Sequence, residues 1–465
     1  RGDAREARDA YEAARQLALA MLDADPRDPE AAHDLAEARQ RLADLDLGDG
    51  AVAEAVAGHA GALALLAGLA AHFPEDLAVA ADRAYGHARL ADIACAQNDL
   101  ALARAHAADA EALYRTLRAA APDDISIEEA QAQSAALRAE IERRDGALEA
   151  ARDALQASLA ARVRLAAADP RRRGLLAQTW RQQAALFSQS GEAGLAAAAH
   201  AQARALAETL YAENPQAPGP ARALLRLHFE AAAAARAAGD GAGAHDALKR
   251  ACALADARAA AAPGDPQRLL ELAAAWDRLG DLALAANQPS AAENALERAV
   301  ECARRREAIE NDGPSPALAA LLLRLGGAQS AAGDHHSARA SLEESVRLRL
   351  ALAERADQAP AALRDVAVAL EHLGLAARAA GDAEGARSAW EEELTLAARA
   401  FPGRDQAPAL RFIARAHAHL AGLADPRAPA HRRAALDALD QIAAASALTE
   451  RDAELRARLW RAGAF

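Results

Sequence analysis

The sequence predicts an all-α fold, an α-solenoid of about nine antiparallel helix pairs, and three observations predict it. The first is composition. Of 465 residues 148 are alanine, aromatics make up 3%, and Lys249 is the one lysine among the basic side chains. Alanine, leucine, arginine and glutamate are strong helix formers, whereas sheets need the β-branched and aromatic residues that are scarce here. The second is the spacing of prolines. Pro26, Pro74, Pro122 and Pro170 fall 48 residues apart, and Pro215, Pro263, Pro314, Pro360 and Pro402 continue the series with small slips. The third is a register of small residues locked to those prolines. Alanine recurs at 7, 55, 103, 151, 196, 244, 292, 338, 386 and 434.

Twelve residues before each anchor alanine stands a second small residue: Ala43, Ala91, Ala139, Ala184, Ala232, Gly280, Gly326, Gly374 and Gly422. Two small positions on facing helices let the rods approach closely. Four residues after the anchor a larger side chain usually follows, among them Tyr11, His59, Leu155, Leu248, Leu296, Leu342 and Trp390. Between the small positions lies a turn signal, as in Asn98-Asp99, Ser190-Gly191-Glu192, Gly239-Asp240, Gly333-Asp334 and Gly381-Asp382. Glycine or asparagine there ends one helix in the left-handed conformation and the acid caps the next. Each unit is therefore helix A, a tight turn, helix B and a proline-marked turn, with helices of about 18–22 residues, or roughly 30 Å.

Taken in order, residues 1–25 read as a lone helix B, with Ala7, Tyr11 and Ala14 in register and a helix A expected upstream of Arg1. Residues 26–447 read as nine long helix pairs. Residues 448–465 read as a capping helix that begins at Thr449, a good N-cap. One helix pair cannot bury its apolar face alone, so neighbours must stack. Length would suggest about three domains, but a stack of repeats has no central core to divide.

The pattern resembles the tetratricopeptide repeat family. Trp276, Leu279, Gly280, Ala292, Leu296 and Ala299 fall at the spacing of that family's signature, with leucine in place of its phenylalanine. Leu322, Leu325, Gly326, Ala338 and Leu342 repeat it, as do Leu370, Leu373, Gly374, Ala386 and Trp390. The family's usual unit is 34 residues, and this one is a long variant of about 48. The resemblance implies a right-handed superhelix and binding of a protein or peptide on a concave face lined by helices A. Carried onto this register, that face includes Glu37, Gln40, Asp44, Tyr85, Asp92, Glu140, Arg143, Gln178, Arg181, Arg226, Phe229, Arg236, Asp277, Asp281, Glu371 and Arg378. The basic middle, with Tyr85, Arg143, Arg181, Arg226, Phe229 and Arg236 as the candidate partner-binding residues, suits an acidic and partly apolar peptide. Charge pairing between neighbouring units is the equal alternative. Such long units are similar to those that accompany kinase, nucleotidase or caspase-like protease domains in bacteria.

Catalytic chemistry is not signalled. The chain holds no P-loop, Gly-x-Gly-x-x-Gly turn, Gly-x-Ser-x-Gly elbow, Cys-x-x-Cys or His-Glu-x-x-His, so no catalytic residue, cofactor or metal is expected. His417 and His419 are two apart on a helix and face different ways. Cys95 lies two helical turns from His87, out of reach for a nucleophile. Cys95, Cys252 and Cys302 form no pair and read as buried apolar residues of a reducing, cytoplasmic compartment. The four tryptophans read as packing residues, and Arg171–Arg173, Arg304–Arg306 and Glu391–Glu393 as charges paired with nearby residues of opposite sign. A net charge of −13 disfavours nucleic acid. No run of 18 uninterrupted apolar residues occurs, so no membrane insertion is expected; the longest candidate, 51–73, carries Glu54, His59 and His72. The reading that follows is a non-catalytic interaction scaffold or sensor array. Its alternatives are the regulatory region of an enzyme whose catalytic domain lies upstream, and a self-assembling structural element.

Overall fold

The computed structural model describes residues 2–311, 313–357, 359–400, 407–445 and 448–462. Among these residues it is all helical, with no strand. The helices are α1 Gly2–Ala24, α2 Pro29–Gly48, α3 Val52–His72, α4 Leu77–Ala96, α5 Leu100–Ala120, α6 Ile125–Arg144 and α7 Leu148–Ala168. They continue as α8 Arg173–Gln189, α9 Ala193–Glu213, α10 Pro218–Ala237, α11 Gly241–Ala261, α12 Pro266–Ala285, α13 Pro289–Glu310 and α14 Pro316–Ala332. The last are α15 His335–Arg355, α16 Pro360–Ala379, α17 Ala383–Ala400, α18 Ala407–Ala421, α19 Ala428–Ala445 and α20 Glu450–Ala462. Even-numbered helices from α2 to α18 are helices A, and odd-numbered ones from α3 to α19 are helices B.

The boundaries follow from local chemistry. Asp28, Asp76, Asp124 and Asp265 each stand two residues after a proline of the series and accept backbone N–H bonds at the start of a helix A. The turn inside the pair works as the sequence predicts in four pairs, whereas Glu192 caps nothing and pairs with Arg152 instead. Asn98, Gly191, Gly239, Gly333 and Gly381 have φ between 64° and 90°, the left-handed region that closes a helix C-terminus. Asp99, Asp240, Asp334 and Asp382 then accept an N–H from the first turn of the next helix. Thr449 caps α20 reciprocally: its hydroxyl accepts from the Asp452 N–H at 3.2 Å, and its own N–H donates to the Asp452 carboxylate at 3.2 Å.

Two compact units are distinguished, Arg1–Leu227 and His228–Phe465, with a boundary inside α10 that the repeat register does not show. In the first, each helix from α1 to α9 packs on the next, and α2, α4, α6 and α8 also touch in succession. In the second, each helix from α11 to α20 packs on the next, and α14 touches α16. These contacts between alternate helices join helices A. Each unit is therefore a stack of helix pairs, with contacts between alternate helices on its helix-A side.

The small-residue register is the packing device. Ala55, Ala103, Ala151, Ala292, Ala338 and Ala386 are fully buried, as are Ala91 and Ala184 on the facing helices. A Cβ added to Gly280 would lie 2.8 Å from Leu296 Cγ, and one on Gly326 would lie 2.5 Å from Leu342 Cγ. On Gly374 it would run into the indole of Trp390. Glycine thus makes room for the large side chain four residues past the anchor. The last pair departs from the expected register. Gly422 lies just beyond α18, and Ala434 is half-buried while Ala435 is fully buried, with Ala414, Leu439 and Ile442 beside it. The helix A of this pair is shorter, so the close approach shifts along the rods.

Two further expectations need correction. Trp390 is fully buried, but Trp460 is 61% exposed at the end of α20, where no following helix among the described residues covers it. Counting uninterrupted apolar residues also understated α3, whose most apolar window reaches a mean hydropathy of 1.6, long and apolar enough for a membrane span. Its Ala55, His59, Ala62, Leu66 and Leu69 are nevertheless buried in a helix packed on α2 and α4, at the same register as Ala103, Ala107, Ala110, Tyr114 and Leu117 of α5.

Candidate functional site

Several charges on helices A pair with neighbouring helices A. Arg89 Nε donates to Asp44 Oδ1 at 2.8 Å, 45 residues away. Arg324 donates to Asp277 Oδ2 at 2.8 Å and also pairs with Asp281. Arg415 stands 3.1 Å from Glu371, and Arg143 donates to Gln189 at 2.8 Å. A second ladder runs from helices B. The residue after the anchor alanine is arginine in five units, and each reaches an acid at the end of the next helix A or in the turn beyond it. Arg8 binds Asp46 and Asp49 at 2.7 and 2.9 Å, and Arg104 binds Glu142 and Asp145 at 3.0 and 2.7 Å. Arg152 pairs with Glu192, Arg339 with Asp382, and Arg387 with Asp425. The signal was present in the sequence as Ala-Arg at the anchor, with an acid about 38–43 residues on.

The six candidate partner-binding residues lie on α4, α6, α8 and α10. Tyr85 on α4 is half-buried and donates its hydroxyl to Asp44, with Arg41 5.8 Å from its ring. Burial and the Asp44 bond push the Tyr85 pKa up to about 12. Burial would raise the Asp44 carboxyl, but His59, Tyr85 and Arg89 hold it at about 2. Arg143 on α6 is clamped by Glu140 at 2.8 and 2.9 Å as well as by Gln189. These two stitch neighbouring helices, so pairing between units accounts for them. Arg181 lies half-buried on α8. On α10, Arg226 and Arg236 are exposed. Phe229 is half-buried beneath the guanidinium of Arg278, 3.9 Å from its ring centroid.

A groove of about 230 Å³ opens in the second unit between α12 and α14, with Ala303 and Arg306 of α13 also lining it. Leu270, Ala274, Ala317, Ala320 and Leu321 line it, with Arg306, Arg324 and Asp277 among its polar groups. Burial lifts the Asp277 pKa despite Arg324. The sequence placed Asp277 on the candidate face but not the groove, because its walls are alanines indistinguishable by type from those of the core.

Buried ionisable groups also escaped the sequence. Arg162, 2% exposed, donates to Leu175 O and Thr179 Oγ1 at 2.7 and 2.6 Å and to Gln133. Burial pulls its pKa to about 10. Glu393, fully buried on α17, has no hydrogen-bond partner among the described residues. Burial, with Glu371 adding to it and Arg415 opposing, drives its pKa to about 9. At the equivalent register Ser158 and Ser345 instead donate to the carbonyls of Ala132 and Ala319 at 2.7 Å.

The histidines separate as their spacing predicts. His417 Nδ1 lies 3.0 Å from His431 Nδ1, whereas His419 stacks on Trp390 at 5.0 Å and approaches Glu371. His87 turns toward His106 rather than Cys95. The three cysteines are free and buried, and burial pushes Cys252 and Cys302 up to about 12 and 11.

No known family profile matches the chain. No curated protein matches it either. Solved structures do. The C-terminal part of a TPR repeat-containing protein from Cytophaga hutchinsonii is 14% identical over 70% of this chain and 98% of its own, with a TM-score of 0.42. The apo form of RapI is 10% identical over 89% of this chain and 100% of its own, at 0.46. A STAND signal-transduction ATPase with a tetratricopeptide repeat sensor, from Pyrococcus horikoshii, is 12% identical over 87% of this chain and 55% of its own, at 0.46. These are likenesses of fold alone; the helix-pair reading rests on the contacts and the small-residue register above.

Proposed function

We propose that the chain is a non-catalytic interaction scaffold that takes an acidic, partly apolar peptide or protein segment on its helix-A side. The supporting observation is the groove on α12 and α14. Its apolar floor suits one side chain of a partner, and Arg306 and Arg324 at its edge, paired with Glu310 and with Asp277 and Asp281, would meet a partner carboxylate by sharing or exchanging those acids. The proposal keeps Tyr85, Arg143, Arg181, Arg226, Phe229 and Arg236 as its contact residues, of which Arg226 and Arg236 are exposed.

Selection of a displayed random-peptide library against the purified protein tests this. The expected consensus combines acids with an apolar anchor. Arg226→Ala with Arg236→Ala is expected to weaken the selected peptides about tenfold, and Ala320→Phe, at an exposed groove position, to do the same with helicity unchanged. A neutral or basic consensus, or affinity untouched by all three changes, overturns the assignment.

A further inference from the structure

From α2/α3 to α16/α17 the register of the helix pairs carries one exception at the second of two facing positions. Four residues before the small residue of helix A the chain places Trp276, Leu322 and Leu370. Three residues after the facing anchor alanine it places Ala295, Ser341 and Ala389. The second of these positions is glycine, alanine or serine throughout the series from Gly58 to Ala389, apart from the α4/α5 pair. There the two positions are His87 and His106, and the close approach of Ala91 and Ala103 brings the rings together. Their Nδ1 atoms lie 3.1 Å apart and their centroids 5.3 Å. Asp109 follows His106 by three residues, on the same face of α5, with Oδ2 3.6 Å from His87 Nδ1. One ligand atom from each residue lies within 4.8 Å of the others.

We propose that His87, His106 and Asp109 bind one divalent transition-metal ion, Zn²⁺ by preference, cross-linking α4 to α5. Two imidazoles and a carboxylate are a borderline-soft donor set. Two nitrogens at Zn–N lengths in a tetrahedron stand about 3.3 Å apart, close to the separation seen here. Asp109 is mostly exposed and His87 half-buried, so the site opens to solvent and leaves a fourth position for water. The competing arrangement is a direct N–H···N bond between two neutral imidazoles, which takes up no metal.

Calorimetric titration of the chelator-treated protein with Zn²⁺, and visible spectroscopy with Co²⁺, decide between them. The expected result is one saturable equivalent, four-coordinate Co²⁺ bands and a Zn²⁺-dependent rise in Tm. His106→Ala, which restores the residue found at this register in α7, α9, α13 and α17, is expected to weaken uptake about a hundredfold or more. Asp109→Asn, at an exposed position that does not threaten folding, is expected to weaken it about tenfold. His417→Ala should leave it unchanged. No saturable uptake, uptake that survives His106→Ala, or uptake lost with His417→Ala overturns the site.

Discussion

Gly326 and Gly327 are adjacent in one helix and have opposite work. A Cβ at 326 meets Leu342 and the Ala338 carbonyl, while one at 327 meets nothing within 4 Å. Gly326→Ala is therefore expected to destabilise the protein by about 1–3 kcal/mol through overpacking. Gly327→Ala should stabilise it by about 0.5–1 kcal/mol through helix propensity alone. Denaturant titration of the two variants checks both signs; equal effects would mean that the close approach does not set the packing. The sequence showed which of the two glycines is the structural one, because only 326 holds the register with Ala338. It did not show Glu393, since a glutamate on a helix is solvated in nearly every setting and only the tertiary neighbours bury this one.

At the scale of the helix, the ladder from the anchor arginines fastens each helix B to the following unit. Arg104 is 43% exposed, so its two ion pairs are screened. Arg104→Ala is expected to lower stability by about 1 kcal/mol or less, with the loss shrinking at high salt; a salt-independent loss would point to packing of its methylenes instead. Helix pairs, turns and the Thr449 cap were legible because each depends on residues within a few positions. The candidate contact face was legible only in part. Register placed Tyr85 and Arg143 on helix A correctly, but whether a side chain there meets solvent or a neighbouring rod depends on what stands about 46 residues away. Gln189 and Asp44 decided that.

For each unit as a whole, stability depends on the ionisable groups its stacking encloses. Glu393 holds a proton in the folded protein up to about pH 9, while the unfolded chain releases it near the ordinary glutamate value. Between those values the native state binds the extra proton, so stability falls as pH rises. Thermal unfolding should show Tm dropping from about pH 5 to about pH 8, and Glu393→Gln should flatten that slope and gain about 1–3 kcal/mol at the upper end. An unchanged slope would place the ionisation elsewhere. Asp44 acts with the opposite sign: its stabilising contribution is present above the ordinary aspartate range and is lost as pH falls toward about 2.

From α1 to α9 and from α11 to α20, each helix packs chiefly on the helices before and after it in the chain. Such topology has low contact order, and its loop-closure entropy is small at every step. A nascent chain leaving the ribosome could therefore close one pair upon the last without waiting for its C-terminus. By the same logic, in-frame duplication or excision of a 48-residue segment among the regular pairs of α2 to α7 would lengthen or shorten that unit while leaving the surviving neighbours the kind of surface they already fit.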